Sequence, residues 1–325
     1  MGGVSVDVVT SPTRSSARTL LAGAAILAST GVLVRLADVG AATASFWRCI
    51  LALAVLLPLA AWEARRFGRP SGRQVGWGLA GGTLLGADFL LWTQSVLDAG
   101  SGIANVVLNV QVIAFPLLAL LVAGTPMPRR QVLAAPVLLA GIALAGGVLG
   151  GDTTMPSPVH GAALGAAAGL AYAGYLYLSR SSARAARGHV VTPVAAATVA
   201  AAATTGIVGG ATQGIAVSLP TSSWFWLAVL AVAGQVVAWV LITRGSAGLA
   251  PGTSAALLLA QPVLAVLLGE VVVGERPTVW QLAGCALVVL TVAADTIGGP
   301  DRRGRAGRTP APGRARTAVA ATSAG

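Results

Sequence analysis

The stretch from residue 190 to residue 243 decides the class of fold. It runs VVTPVAAATVAAAATTGIVGGATQGIAVSLPTSSWFWLAVLAVAGQVVAWVLIT, without one charged side chain between His189 and Arg244. A helix that spans a bilayer needs about 20 mostly apolar residues. The run is therefore long enough for two spans and the turn between them, and it exceeds what the core of a soluble domain can absorb as one continuous segment.

The rest of the chain has the same character. Of its 325 residues, 55% are hydrophobic and 10% are charged, against about a quarter charged in ordinary soluble domains. Hydropathy predicts an all-α integral membrane protein with ten transmembrane helices and excludes a soluble enzyme. The predicted spans lie near residues 18–37, 40–62, 75–97, 101–123, 130–149, 158–178, 191–211, 222–243, 252–273 and 277–297.

The positions of the basic residues test this topology. The chain has no lysine, so all 21 basic residues are arginines. With the N-terminus in the cytoplasm, ten spans leave only Arg35, Arg48 and Arg276 outside the cytoplasmic segments, as the positive-inside rule predicts. We therefore expect an integral protein of the cell (inner) membrane with both termini cytoplasmic. The net charge of +11 is accounted for by arginines beside anionic lipid headgroups.

The chain also contains an internal repeat. A gap-free shift of 150 residues superimposes identical residues of the fourth and fifth spans on the ninth and tenth, including Gly102 with Gly252, Gln111 with Gln261, Gly124 with Gly274, and Gln131 with Gln281. Because each repeat holds five spans, an odd number, the second is predicted to enter the membrane upside down. Inverted repeats around a site at the midplane are typical of secondary transporters.

The predicted domain organisation follows from this repeat. Residues 1–17 form a polar cytoplasmic leader, and residues 18–150 form the first five-helix repeat. Residues 156–298 form the second repeat. Residues 299–325 are rich in Gly, Pro, Ala and Arg, a composition typical of a disordered basic cytoplasmic tail.

Several short motifs resemble a known family. They are ASFWR at 44–48, QPVLA at 261–265, GER at 274–276, QLAG at 281–284, and the segment from His160-Gly161 to Ala171-Tyr172. Together they resemble EamA-like carriers of the drug/metabolite transporter superfamily. The resemblance implies a helical bundle with a central cavity that exports or imports small metabolites. The family often has a glutamate after the fourth helix, where this chain has Gly124-Thr125-Pro126, whereas the second repeat keeps Glu275.

Charged residues inside the predicted spans are the first candidates for function. A charge near the middle of a bilayer costs about 2.5–3.5 kcal/mol on the lenient insertion scale, so Asp88 must face protein or a watery cavity. It lies about 200° around its helix from the stripe of Gly78, Gly82 and Gly86, which permits close helix packing. Asp88 is either a buried partner of Arg48 or a site for substrate or a proton. Glu270, late in the ninth span, is the third member of this charge or coupling set.

Polar amides and tryptophans are the second group of candidates. Trp92 shares the face of Asp88, and Gln235 shares a face with Trp239. In the fourth span, Asn105 and Asn109 share a face, with Gln111 on another. The candidate substrate-binding residues are therefore Asp88, Trp92, Asn105, Asn109, Gln111, Gln235, Trp239 and Gln261. For each amide, hydrogen bonding between helices is the alternative to ligand contact.

The leading functional hypothesis is a secondary transporter of a small organic solute such as a metabolite, an amino acid or a drug-like molecule, working by alternating access with proton coupling as an option. A membrane-embedded enzyme and a non-transporting membrane protein are the alternatives. We expect no catalytic residues, no metal site and no cofactor, because no cluster of nucleophile, base or metal ligands is found. The expected partners are a small-molecule substrate and membrane lipid, not nucleic acid, and a homodimer is left open.

The ten-span topology predicts which introduced cysteines a membrane-impermeant thiol reagent reaches. In a variant without Cys49 and Cys285, cysteines at Ser71 and Ser182 should react only from the cytoplasmic side, and one at Thr153 only from outside, because the connections alternate between the two sides of the membrane. Labelling in intact cells and in inverted vesicles measures this. Reaction of Ser71→Cys in intact cells would contradict the topology.

Overall fold

The computed structural model describes residues 12–124, 126–127, 129–147, 155–185, 189, 191–247, 249 and 251–297. All regular structure in these ranges is helical. The tail at 299–325, most of the leader at 1–17, and Thr153 lie outside the described residues, so those predictions remain untested.

The first repeat begins with three long helices and ends with two that are broken or short. The helices are α1 (Pro12–Ala37), α2 (Ala41–Phe67), α3 (Gly72–Ala99), α4 and α5 (Arg129–Ala145), where α4 joins Ser101–Val107 to Gln111–Ala123 through a 3-10 turn at Leu108–Val110.

The second repeat follows the same order with more irregular helices. Here α6 is Pro158–Ala185 and α10 is Val279–Ile297. Three helices contain π-helical stretches: α7 joins Val191–Thr204, π-helical Thr205–Gly209 and Gly210–Thr212; α8 joins Thr221–Val229, π-helical Leu230–Val237 and Ala238–Ala247; and α9 joins Pro251–Leu258, Ala260–Leu268 and π-helical Gly269–Val273.

The lengths and surfaces of these helices are those of a membrane protein. Among the described residues, seven helices are long and apolar enough to cross a membrane: α1 to α4 and α6 to α8. Two shorter apolar helices, Ala260–Val273 and Val279–Ala294, lie in α9 and α10. Large side chains such as Leu121, Val271 and Val279 are at least three-quarters exposed, which is costly in water and favourable against lipid.

Helices of the two repeats pack in antiparallel pairs. In the pair of α3 and α6, Gly161 lies against Ala99 at one end and Gly78 lies near Ser182 at the other. The repeat-equivalent pair is α8 with α1, where Gly245 lies against Leu20. The α5 and α10 helices also pack on each other. Each pair thus joins a helix of one repeat to a helix of the other.

The predicted glycine stripe on α3 and a second stripe on α6 form close contacts. On α3, Gly78, Gly82 and Gly86 face the backbone of α7, so closely that a β-carbon at Gly86 would lie 2.9 Å from the carbonyl oxygen of Ala201. On α6, the stripe of Gly161, Gly165 and Gly169 faces the end of α3 and the first half of α4. Small residues therefore bring α3 and α6 close to their neighbours, as helix packing in membranes favours.

A buried carboxylate fastens α2 to α7. Near the end of α2, Glu63 accepts hydrogen bonds from the backbone N–H groups of Val191 and Thr192 at 3.0 and 2.8 Å, and from Thr192 Oγ1 at 2.7 Å. These are among the N–H groups that the first turn of a helix leaves without a partner. At the opposite end, Gln213 Oε1 accepts from the backbone N–H of Ala42 at 3.0 Å. Each helix therefore caps the start of the other.

A second buried carboxylate performs the same task for α4. Between α9 and α10, Glu275 accepts from the backbone N–H and the hydroxyl of Ser101 at 2.8 and 3.0 Å, and from the N–H of Gly102 at 3.4 Å. The preceding Gly100 has a φ of 99°, and a β-carbon there would lie 2.9 Å from Glu275 Oε2. Glu275 is thus a helix-capping residue.

One expected loop residue lies in a helix instead. Ser182 was placed beyond the sixth span, but α6 continues to Ala185. Ser182 is buried, and its hydroxyl donates to the backbone oxygen of Gln74 at 2.9 Å. Packing against α3 extends the helix beyond the apolar stretch that hydropathy detects, so a cysteine at this position would be shielded from reagent, while Ser71 is exposed.

The capping contact predicts a marked loss of stability in Glu63→Met. This substitution keeps the length of the side chain but leaves three donors without their acceptor, and each orphaned buried donor costs about 1–3 kcal/mol. Unfolding of the purified protein in detergent should therefore shift by several kilocalories per mole, about 3 or more by the same principle.

Two matched variants provide the controls for this measurement. Glu63→Gln keeps an acceptor oxygen and should lose less. Gln213→Met removes two bonds at an exposed residue, one with the N–H of Ala42 and one with the side chain of Gln94, and should lose least. Wild-type stability in Glu63→Met would show that the cap contributes nothing.

Candidate functional site

A cavity of about 140 Å³ lies inside the bundle. Eight helices contribute to its wall, while α5 and α10 do not. The lining residues are Leu27, Thr30, Arg48, Leu85, Asp88, Phe89, Trp92, Asn105, Leu108, Gln111, Tyr172, Tyr175, Val194, Gln235, Trp239 and Gln261. Both repeats therefore build the wall.

Most of the residues that the sequence singled out meet at this cavity. Seven of the eight candidate substrate-binding residues line it, together with Arg48: Asp88, Trp92, Asn105, Gln111, Gln235, Trp239 and Gln261. These eight side chains come from five helices, α2, α3, α4, α8 and α9. Residues that were predicted to face protein or water rather than lipid therefore face the same cavity.

Asn109 does not line the cavity, and the prediction that it shares a binding face with Asn105 is corrected. Its Nδ2 donates to the backbone oxygens of Asn105 and Val106 at 3.0 and 3.1 Å. Its side chain therefore bonds within its own helix instead of facing the cavity. After Asn105 the helix passes through the 3-10 turn at Leu108–Val110, which winds at about 120° per residue instead of about 100°. The tighter turn brings Gln111 to within about 60° of Asn105 around the axis, so Gln111 lines the cavity with Asn105.

Glu270 is also separate from the cavity. It lies in the π-helical end of α9 and is exposed, and it does not belong to the lining. Arg35, near the end of α1, donates to the backbone oxygen of Leu97 at 3.3 Å. A charge so close to the end of a helix can reach the membrane surface, so the structure separates Glu270 from Arg48 and Asp88.

Arg48 is buried with an incomplete set of partners. Its guanidinium lies over the ring of Phe89, 4.0 Å from Cζ to the ring centroid, and its Nη2 donates to Gln235 Oε1 at 3.3 Å. The Nε atom has no hydrogen-bond partner. An aromatic face and one amide oxygen compensate only part of the cost of burying a cation, so the remaining donor capacity is available to another group.

Asp88 is buried beside Arg48 without bonding to it. The two side chains line the same cavity, yet they form no ion pair, and Asp88 Oδ1 has no hydrogen-bond partner. Trp92 Nε1 is also buried and unpaired. A direct Arg48–Asp88 pair, one of the two interpretations of the sequence, is therefore absent from this structure. The cavity instead presents an unpaired acceptor and unpaired donors, which bound solute or water can satisfy.

Several lining residues were not identified from the sequence. Phe89 follows Asp88 directly, but an isolated phenylalanine in an apolar span carries no distinguishing pattern. Leu27, Leu85, Leu108 and Val194 are equally ordinary in a membrane helix. Tyr172 and Tyr175, near the cytoplasmic end of the sixth predicted span, also line the cavity, with ring centroids 5.7 Å apart.

The cavity wall repeats the internal symmetry of the sequence. The shift of 150 residues relates three pairs of lining residues: Leu85 with Gln235, Phe89 with Trp239, and Gln111 with Gln261. The same shift relates Arg48 to Thr198 and Asp88 to Ala238, neither of which lines the cavity. The frame of the site is thus shared by both repeats, while its charges come from the first.

Two tryptophan side chains meet at the end of the bundle where α2 begins. The rings of Trp47 and Trp224 meet edge to face with centroids 4.7 Å apart, and Trp47 Nε1 donates to the backbone oxygen of Ala216 at 2.9 Å. Beyond the cavity in the other direction, Gln111–Ala123 of α4 contains no buried residue. The two ends of the bundle are therefore packed to different degrees.

The described residues contain no group of three or more His, Cys, Asp or Glu side chains placed to hold a metal ion. Cys49 and Cys285 are buried and are not joined in a disulfide.

Comparison with known proteins places this architecture. No curated protein matches the chain at a significant level. Twelve chains of solved structures match, among them one described as "Crystal structure of protein", with a TM-score of 0.57 and 20% identity over 87% of this chain and 97% of that chain. At this identity the likeness concerns the fold alone. The model of the EamA-like transporter family matches twice, at residues 15–147 and 159–294. Since these two matches cover most of the sequence, the chain belongs to the EamA-like transporter family, whose members are typically membrane transporters of small solutes.

Proposed function

We propose that this protein is a secondary carrier that moves a small organic solute across the cell (inner) membrane by alternating access. The observation that carries the proposal is the cavity, in which a buried cation and a buried carboxylate face the same space without bonding to each other. Buried polar groups are normally satisfied within the protein. Unpaired groups around an internal space are suited to a solute that enters and leaves.

The transport cycle follows from the proposed arrangement of the repeats. Ten crossings with cytoplasmic termini place the repeats in opposite orientations, and the antiparallel packing of α2 with α7 supports this arrangement. When two repeats exchange conformations, access changes from one side of the membrane to the other. In the proposed orientation, the Trp47–Trp224 contact lies at the outer end of the bundle.

The size and charge of the cavity favour a small zwitterion. Its volume of about 140 Å³ is well below the roughly 300–1,000 Å³ typical of pockets for drug-sized ligands. A solute with a single charge would leave either Arg48 or Asp88 buried without a counter-charge, which is unfavourable. An amino acid or another small zwitterion satisfies both residues.

The competing proposal is an enzyme embedded in the membrane. It would need a nucleophile, a base or a metal placed together, and the cavity brings together one carboxylate, one guanidinium and several amides. The same cavity could bind an amphoteric substrate for chemistry rather than for transport, so the two functions are distinguished by measuring flux and product separately.

Counterflow in proteoliposomes tests the carrier and the solute class together. Vesicles loaded with one of the twenty amino acids are diluted into the same labelled solute, and uptake is compared with that into protein-free vesicles. At least one amino acid should exchange. For L-leucine, the matched solutes isoamylamine and 4-methylpentanoate keep the carbon skeleton but lack the carboxylate or the ammonium group.

The possible outcomes distinguish a carrier for zwitterions, a carrier for another class of solute, and an enzyme. Exchange of a zwitterion at least tenfold faster than its amine and acid analogues supports the full proposal, since a tenfold difference corresponds to about 1.4 kcal/mol of binding. Exchange of only an amine or only an acid supports a carrier and contradicts the zwitterion. Formation of a new product without flux supports the enzyme.

The role of Asp88 in energy coupling is tested by Asp88→Asn with Arg48→Gln. If Asp88 carries a proton during transport, the double variant should fold and still exchange solute at equal pH, with a lower affinity because both charges that face the solute are gone, but it should not accumulate solute when a pH gradient is imposed. Exchange at equal pH need not move the proton. Accumulation at the wild-type level and affinity would contradict a coupling role.

A further inference from the structure

The separation of Arg48 from Asp88 requires an explanation. The two residues share one small cavity, and Phe89, the residue after Asp88, lies 4.0 Å from the guanidinium of Arg48. Arginine is long and flexible, and a direct pair with a carboxylate is among the strongest hydrogen-bonded contacts in proteins. Some contact must therefore hold the guanidinium away from the carboxylate.

The contact that holds the guanidinium of Arg48 is made by Gln235 on α8. Arg48 Nη2 donates a hydrogen bond to Gln235 Oε1 at 3.3 Å. This bond ties the guanidinium to a side chain of α8. Gln235 is buried and carries no charge, so it accepts from Arg48 without neutralising it. The aromatic face of Phe89 supports the guanidinium from another side but offers no acceptor oxygen to fix its direction.

The backbone around Gln235 is held in place. Gln235 lies in the π-helical stretch Leu230–Val237, a form that often marks functional positions in helices. The preceding Gly234 packs directly on α1, where a β-carbon would lie 2.7 Å from Thr30 Cγ2. Because α8 cannot rotate without displacing α1, the amide oxygen remains at a defined position in the cavity wall.

We propose that Gln235 is a positioning residue that holds Arg48 away from Asp88, so that both charged groups stay open to solute. Without this amide, Arg48 turns towards Asp88 and the two close into an internal ion pair. In this ion pair the guanidinium and the carboxylate neutralise each other, so neither group is left to bind a solute. The effect on solute rests on the proposed transport function, whereas the effect on Arg48 does not.

Gln235 and Asp88 share no hydrogen bond, yet the proposal predicts that their effects on stability are coupled through Arg48. Gln235→Met keeps the length of the side chain and removes the acceptor. In the wild-type background its thermal unfolding temperature should be unchanged or higher, because Arg48 gains Asp88 as a partner. In the Asp88→Asn background the same change should lower the Tm by about 2–4 °C, because Arg48 then loses the amide oxygen of Gln235 and finds no carboxylate to replace it.

A second cycle keeps the test valid if Asp88→Asn folds poorly. In an Arg48→Met background, Gln235→Met should have no stabilising effect, because no cation remains to be redirected. The matched control is Gln261→Met, the same substitution at another amide of the cavity wall. Gln261 does not hydrogen-bond to Arg48 in the structure, so its effect should be equal with and without Asp88. All of these measurements use purified full-length protein without added solute.

Chemical labelling of Asp88 provides a readout that simple packing would not change. A hydrophobic carbodiimide reacts with accessible carboxyl groups inside membrane proteins, and labelling of the peptide that contains Asp88 is measured by mass spectrometry. Labelling should fall at least fivefold in Gln235→Met, where Arg48 covers the carboxylate, and should not change in Gln261→Met. Equal labelling in all three proteins, or equal loss of Tm for Gln235→Met with and without Asp88, would overturn the proposal. Absence of solute exchange would contradict the proposed function alone.

Discussion

The arrangement of the bundle depends on the way in which α2 and α7 satisfy each other's first turns. A helix begins with backbone N–H groups that have no partner inside the helix, and within a membrane no bulk water is present to replace one. Glu63 supplies the acceptor for α7, and Gln213 supplies it for α2. Because the two caps lie at opposite ends, they fix the direction, the register and the separation of the pair together.

The functional side chains are placed by this clamped pair and by its neighbours. Arg48 lies on α2, two turns after the end that Gln213 caps. Asp88 lies on α3, which the glycines on its other face press against α7. Neither helix can slide without breaking a cap or separating a glycine contact. Two charges can therefore remain a short distance apart inside a membrane protein without collapsing onto each other, provided that local contacts such as Gln235 also hold their side chains.

How far the site could be predicted from the sequence follows from the cost of polar groups in lipid. That cost is large for Asp88, Arg48 and the amides, so the sequence predicted that they face protein or a cavity, and all of them except Asn109 line the cavity of this structure. This cost does not specify the path of the backbone. The rotation that brings Gln111 to the cavity comes from the 3-10 turn at Leu108–Val110, and no residue in that segment distinguishes such a turn from an α-helix. Apolar lining residues such as Leu85 were undetectable because a leucine is equally stable against lipid and against a cavity.

The distribution of residues between the repeats separates two requirements of a carrier. Three symmetry-related pairs, among them Phe89 with Trp239 and Gln111 with Gln261, supply aromatic and amide surface from both repeats. A symmetric frame can present similar surface to the solute in either of two exchanged conformations. Recognition of charge is under no such constraint, and both Arg48 and Asp88 belong to the first repeat. If the repeats exchange conformations as proposed, the charges remain with one repeat while the other moves around them. The contact between Gln235 and Arg48 crosses between the repeats, so the exchange that changes access to the cavity also acts on the contact that keeps the two charges apart.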